Sequence, residues 1–193
     1  MSQPHGYDLL ETTKGWIGVL ASCRGLLRVT VPRPTRNEAW RAIGSTANKA
    51  VVIPKAFEGL YRKLQLYLEG MEISFEEPLD LEDAPPFFRV VWEACRSIPR
   101  GQTRTYGELA SLVGRPRASR AVGQAMARNP IAILIPCHRV IGKGGDLHGY
   151  GGGVEMKACL LKSEGWRGLS GTAKPEGRKV SSDNQGPKHD GYE

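Results

Sequence analysis

The sequence predicts an α+β chain in two domains, a small α/β domain over residues 1–75 and a mainly helical domain over 87–169, joined by a linker over 76–86. Three observations carry that prediction. The first segment alternates Ile-, Val- and Leu-rich runs with a helical repeat. The second shows short helical repeats broken by Gly and Pro. Between them, EEPLDLEDAPP is acidic, proline-bearing and without period. The last residues, 170–193, are rich in Gly, Ser, Lys and Pro and almost devoid of apolar side chains, so a disordered tail is expected. With 193 residues, 40% hydrophobic and 24% charged, the chain has a globular composition. No apolar run approaches the roughly 20 residues of a bilayer span, and the N-terminus lacks the basic and apolar stretches of a secretion signal. Cys23, Cys95, Cys137 and Cys159 are too scattered for a disulfide framework or a CxxC zinc site. An intracellular location, cytoplasmic or at the nucleoid or nucleus, is expected, with no membrane partner.

In chain order, residues 15–21 and 25–31 read as a hairpin closed by Ser22-Cys23-Arg24. Residues 56–69 place Phe57, Leu60, Tyr61, Leu64 and Leu68 on one helical face, with Pro54 before the helix and Gly70 after it. Residues 71–75 are expected to form a short strand. Beyond the linker, residues 87–97 put Phe87, Val90, Val91 and Ala94 on a helical stripe that stops at Ile98-Pro99. Thr105 followed by Glu108 is a capping box, opening a helix whose apolar face is Tyr106, Leu109, Ala110 and Val113. After the break at Gly114-Arg115-Pro116, residues 117–128 resume with Ala118, Ala121, Val122 and Ala125 inward, leaving Ser119, Arg120, Gly123 and Gln124 outward. Two short helices about a glycine-bearing turn describe a helix-turn-helix.

Charge points the same way. The chain's net charge is +7, and the excess is confined to residues 86–169, whose 13 basic and 5 acidic side chains give +8, ten of the basic ones arginine. Arginine's planar fork of donors suits phosphate, so a polyanion partner is expected.

The apolar run 131–135 (IAILI) reads as a buried extended segment delivering Pro136-Cys137-His138. Thiol chemistry runs through the thiolate, and a free cysteine, with pKa ~8.5, needs a base at neutral pH. Neighbours on an extended chain point apart, so His138 is expected to act on Cys137 through a water. Glu164, at the end of a helical stretch, is the carboxylate candidate for orienting the imidazole. The glycine-dense stretch 142–153, with Tyr150 inside it, suits close approach of backbone to a flat ligand.

TYGELA at 105–110, RAVGQAMARNP at 120–130, IPCHRVIG at 135–142, GYGGG at 149–153 and LLKSEG at 160–165 together resemble the O6-alkylguanine-DNA alkyltransferase family, in order, over about residues 87–166. The resemblance implies a ribonuclease H-like N-terminal domain before a winged helix-turn-helix-like catalytic domain. It implies single-turnover removal of an alkyl group from O6-alkylguanine in double-stranded DNA by a monomer. Cys137 would be the acceptor, His138 the water-mediated base and Glu164 its support. Asn129 would brace the turn, and Tyr106 would hydrogen-bond the flipped base. Val140, Tyr150, Gly151 and Met126 would hold the base, with the backbone carbonyls of Cys137 and Val140 accepting from the guanine amino group. Arg120 would fill the gap in the duplex, and Ser119, Ala121, Gly123 and Thr105 would lie along the DNA. No cofactor is implied. Some family members bind zinc in the N-terminal domain, but only His5 and Cys23 stand upstream of the linker here, so no metal is expected. Three alternatives remain: a non-catalytic binder of alkylated DNA, which the presence of Cys137 argues against; a helix-turn-helix regulator; and a Cys-His hydrolase.

Overall fold

In the computed structural model, which describes residues 5–168, the chain is α+β, with six strands and six α-helices among the described residues. The expected tail, 170–193, lies outside them. Strands β1 (Gly6–Thr12), β2 (Gly15–Ser22) and β3 (Gly25–Val29) form an antiparallel meander. The predicted hairpin is β2–β3. Neither β1 nor helix α1 (Arg36–Ile43) was read from the sequence. The signal for α1 was present, since Thr35 accepts from the N–H of Glu38 in the S/T-x-x-E pattern of a helix start. Strand β4 (Val51–Val52) then adds parallel to β1, giving the order β3-β2-β1-β4.

Helix α2 (Glu58–Leu68) buries Leu60, Leu64, Tyr67 and Leu68. Tyr67 is thus on the inward face where Tyr61 was expected; Tyr61 turns out to the carbonyl of Glu11. The two positions differ by six residues and both continue a helical row through Leu60 and Leu64; packing against the core takes Tyr67. Residues 71–75 do not form a strand. They are extended, with Ile73 and Phe75 against the core, but no neighbouring strand completes a ladder there.

The stretch expected as a linker, 76–86, is docked. Leu26 donates its N–H to Pro78 and accepts from Asp80, both at 2.8 Å. The buried Asp80 carboxylate takes hydrogen bonds from Ser22 and Arg24. Further along, β3 exchanges backbone hydrogen bonds with the loop that follows α5: Val29 N–H to Pro130 O at 3.0 Å and Ala132 N–H to Val29 O at 2.8 Å. The free edge of the sheet is therefore covered by two later loops, which removes an exposed pairing edge.

Helix α3 (Pro86–Arg96) starts on a proline and buries Phe88, Val91, Trp92 and Cys95. The expected stripe was rotated by about one residue, and Val90, placed inward by the sequence reading, is 53% exposed. The set starting at Phe88 has the same i, i+3, i+4, i+7 spacing as the expected one but carries the larger aromatic area, so its burial is worth more. Helix α4 (Tyr106–Leu112) has the predicted capping box, with both reciprocal bonds between Thr105 and Glu108. Gly114, at φ +72°, makes the turn into helix α5 (Ser119–Ala127), which buries Val122, Ala125 and Met126. Ala121 is half-buried rather than inward. Strands β5 (Arg104–Thr105) and β6 (Val140–Ile141) pair in parallel, and helix α6 (Val154–Ser163) closes the chain. One hydrophobic cluster runs from Ile17, Leu64 and Tyr67 through Trp92 and Leu109 to Ile135 and Leu160.

Candidate active site

The run 131–135 is fully buried, but it is not extended. Ile135 donates its N–H back to Ile131 O at 3.0 Å, and Ile133 sits at φ +73°. A β-branched residue in that region costs of order 1–3 kcal/mol, which the surroundings must impose. Asn129 is the local brace. Its Oδ1 accepts from the N–H of Ile131 at 3.0 Å, and its Nδ2 donates to Ile135 O at 2.8 Å. The apolar run looked extended because burial and side-chain shape were legible, whereas a turn held by one carboxamide was not.

The turn delivers Cys137 into a 3-10 turn, Cys137–Arg139. Cys137 Sγ lies 3.1 Å from Asn129 Nδ2. Burial pushes the thiol up; the Asn129 bond, the Lys157 charge and the N–H groups of Cys137 and His138 oppose that rise without cancelling it. At rest the group is a thiol and requires a base.

His138 is wholly buried, with Nε2 at 3.0 Å from Glu164 Oε1. An ionised carboxylate only accepts, so the proton is on Nε2 and the Nδ1 lone pair is free; Nδ1 has no hydrogen-bond partner among the described residues. Glu164 is the C-cap of α6, so its carboxylate enters the interior from a helix end. Burial would raise its pKa, but the bonds from His138, Arg139 and Tyr67 hold it well below the usual carboxylate range. Arg139 supplies the permanent counter-charge, with Nε at 2.9 Å from Oε2 and Nη2 at 2.7 Å from Oε1. For His138, burial lowers the pKa more than Glu164 raises it, so the imidazole is neutral and able to accept a proton.

In front of this pair lies a cavity of about 230 Å³, lined by Cys137, Tyr106, Gly123, Met126, Asn129, Tyr150 and Gly151 among others. Tyr150, which lines this cavity, has a buried hydroxyl without a hydrogen-bond partner among the described residues. Gly123 leaves room for the Tyr106 ring, whose carbons would lie 3.9 Å from any Cβ there. His138 and Glu164 sit behind Cys137, sealed from solvent. Val140 is fully buried and is not among the cavity-lining residues; its carbonyl accepts from Lys157 Nζ at 2.7 Å, which leaves that oxygen a second lone pair. Thr105 and Ser119 line a neighbouring groove with Tyr106 and His148. Arg120 stands exposed on α5, and Ala121 lines neither space.

Sequence reading missed Tyr67, Arg139 and Lys157. It also missed the β3 side of the cavity, where Arg28, Thr30 and Val31 contribute. Arg139 stands inside the IPCHRVIG motif and could have been found as the charge that a buried glutamate requires. Lys157, on α6, is 1% exposed, and nothing in its local pattern marks it as buried. Among the described residues no three His, Cys, Asp or Glu are grouped to hold a metal, and no helix is long and apolar enough to cross a membrane.

A thiol opening into a lined cavity, with a buried imidazole–carboxylate pair and a helical hairpin beside it, is the arrangement of a protein that uses a cysteine as its reacting group. Residues 86–166 match the family model described as 6-O-methylguanine DNA methyltransferase, DNA binding domain. The chain is 51% identical over 165 residues to the methylated-DNA–protein-cysteine methyltransferase of Methanosarcina barkeri, covering 82% of this chain and 96% of that one. The chain belongs to the methylated-DNA–protein-cysteine methyltransferase family. The Mycolicibacterium paratuberculosis member is 50% identical over 111 residues, 58% of this chain and 67% of that one. Among solved structures, Mycobacterium tuberculosis OGT in complex with DNA superposes with a TM-score of 0.71 at 37% identity, covering 82% of this chain and 92% of that one.

Proposed function

We propose that this protein repairs DNA by moving the alkyl group of O6-alkylguanine onto Cys137, once per molecule. The observation that carries the proposal is the Cys137 thiol in the wall of the cavity with the neutral, sealed His138–Glu164 pair behind it. His138 Nδ1 takes the thiol proton through a water, and Nε2–H stays on Glu164. The sulfur attacks the alkyl carbon, the S–C bond forms, and the C–O6 bond breaks with its electron pair going to guanine. Tyr106 donates a hydrogen bond to the base as it leaves. The thioether has no route back to thiol, so the protein is consumed.

The target atom is unreachable inside a duplex, and extruding the nucleotide costs a few kcal/mol. Arg120, exposed on α5, fills the gap, while Ser119, Ala121, Gly123 and Thr105 lie along the minor groove. Met126, Tyr150 and Gly151 hold the base, and the backbone carbonyls of Cys137 and Val140 accept from the guanine amino group. The chain acts as a monomer on double-stranded DNA, wherever the cell keeps its DNA. Its layout is two domains in the family pattern. The β3-β2-β1-β4 sheet with α1 supports a ribonuclease H-like unit, and α4, α5 and the β5–β6 pair support a winged helix-turn-helix.

The test is intact-protein mass after incubation with duplex DNA containing O6-methylguanine. One methyl is expected on Cys137 and none on the Cys137→Ser variant. Turnover beyond one equivalent, or label on Cys159, overturns the proposal.

A further inference from the structure

We infer that Tyr67, contributed by helix α2 from the N-terminal segment, is a positioning residue for the base: its hydroxyl shares the Glu164 oxygen with the imidazole and so fixes which nitrogen of His138 faces the thiol side unprotonated. The inference rests on the transfer reaction proposed above.

Three donors converge on one carboxylate oxygen. Tyr67 Oη donates to Glu164 Oε1 at 2.7 Å, Arg139 Nη2 at 2.7 Å, and His138 Nε2 stands at 3.0 Å. Tyr67 Oη and His138 Nε2 are themselves 3.1 Å apart. The hydroxyl has one proton. With it spent on Glu164, Nε2 has no donor facing it and must carry its own proton, which leaves the lone pair on Nδ1. In the opposite tautomer two lone pairs, on Nε2 and Oε1, would meet at 3.0 Å with no proton between them.

The placement of Tyr67 is reinforced rather than incidental. Its ring is 2% exposed and meets Phe75 edge-on at 5.8 Å. Arg100 donates to the carbonyls of Gly70 and Met71, just after α2, and to the carbonyl of Ser163, which immediately precedes Glu164. One guanidinium therefore ties the backbone that carries Tyr67 to the backbone that carries Glu164, while its own charge lies 5.9 Å from the Tyr67 ring. Burial, then the neighbouring Glu164 charge, raises the phenol well above its ordinary range, so it stays a donor throughout the working pH range.

Sharing has a consequence for the base. Each donor on Oε1 draws on the charge that would otherwise bind Nε2–H, and that charge is what stabilises imidazolium. The groups facing His138 are Glu164 and Lys157 from α6, Arg139 from its own turn, Tyr67 from α2 and Cys137 beside it. Removing the Tyr67 hydroxyl leaves more of the carboxylate's charge for the imidazole and raises its proton affinity.

The experiment compares Tyr67→Phe with the unaltered full chain. Single-turnover methyl transfer from duplex O6-methylguanine DNA is followed across pH, with 15N NMR of the His138 ring alongside. In the variant the acid limb of the rate profile moves up by about half to one pH unit. Rates below that limb then fall roughly three- to tenfold, since one unit is tenfold in protonation ratio, while rates on the alkaline plateau stay within about twofold of the unaltered chain. A purely structural role would instead lower the reactive fraction equally at every pH; superimposable normalised profiles overturn the inference. Should Tyr67→Phe not fold, the 15N shifts of the unaltered chain decide: Nε2–H with bare Nδ1 supports the inference and Nδ1–H overturns it. If the unaltered chain takes no methyl, the transfer proposal fails, and the ring titration of the two proteins still tests the placement of Tyr67.

Discussion

Asn129 holds Cys137 at both ends of its approach: one Nδ2 reaches the sulfur at 3.1 Å and the carbonyl of Ile135 at 2.8 Å, while Oδ1 closes the turn on Ile131. The residue thereby couples the strained backbone at Ile133 to the position of the nucleophile.

Asn129→Ala leaves the buried Ile135 carbonyl and Ile131 N–H without these partners. Each unsatisfied group costs about 1–3 kcal/mol. Urea unfolding should therefore show a loss in that range or somewhat above it, and methyl transfer should slow by at least about tenfold because the thiol loses its donor and its fixed place. Unchanged stability would mean that the turn is held by packing alone.

Acid should weaken the fold in two windows. His138 has a lowered pKa in the folded chain, so as pH falls below the ordinary histidine value, ~6.5, the unfolded chain takes up the proton first and stability drops. Glu164 has a depressed pKa in the fold; its contribution is present above the ordinary carboxylate value, ~4.3, and is lost as pH falls from there toward the folded value. Both slopes have the same sign. Unfolding free energy measured from pH 8 to pH 3 should decline in these two stages. Glu164→Gln should flatten the lower stage, starting from a protein already destabilised by the unpaired Arg139.

Arg120→Ala tests the difference between extruding a nucleotide and attracting a phosphate. Arg120 is the one charged side chain among small residues on the outer face of α5. Transfer from duplex DNA should slow far more than transfer from the free alkylated base. Equal losses in the two assays would remove the gap-filling role.

Affinity for undamaged duplexes should be salt-dependent and nearly indifferent to sequence. The basic excess of residues 86–169 carries it, and a handful of phosphate contacts, at about −0.9 each, puts the slope of log affinity against log salt at roughly −3 to −5. Titrations of unrelated duplexes measure this. A strong preference for one undamaged sequence would favour a regulator, and a flat salt response would take away the basis for assigning this surface to DNA.

Local chemistry was legible before any coordinates. The Thr105–Glu108 capping box, the hairpin of β2 and β3 and the turn at Gly114 depend on neighbours within a few residues, and each has a side-chain or dihedral signature that a string of letters retains. The order of the motifs around Cys137, His138 and Glu164 was readable for the same reason. Helix faces were less secure: α2 and α3 each offered two plausible apolar rows, and only packing against the rest of the core chose Tyr67 over Tyr61 and Phe88 over Phe87.

The sequence by itself determined the mixed α/β composition, the confinement of positive charge to the second half and the adjacency of Cys137 and His138, the proposed nucleophile and base. Each is a property of residue type or short-range spacing. The tertiary structure alone decided that β3 is hydrogen-bonded to the loop carrying Asn129, that residues 76–86 are docked against the sheet, and that Tyr67 and Arg139 meet Glu164. Those contacts join residues as far apart as Tyr67 and Glu164, or Val29 and Ala132. Their formation depends on which elements bury area together, and a buried carboxylate gathers whatever donors that packing brings within reach.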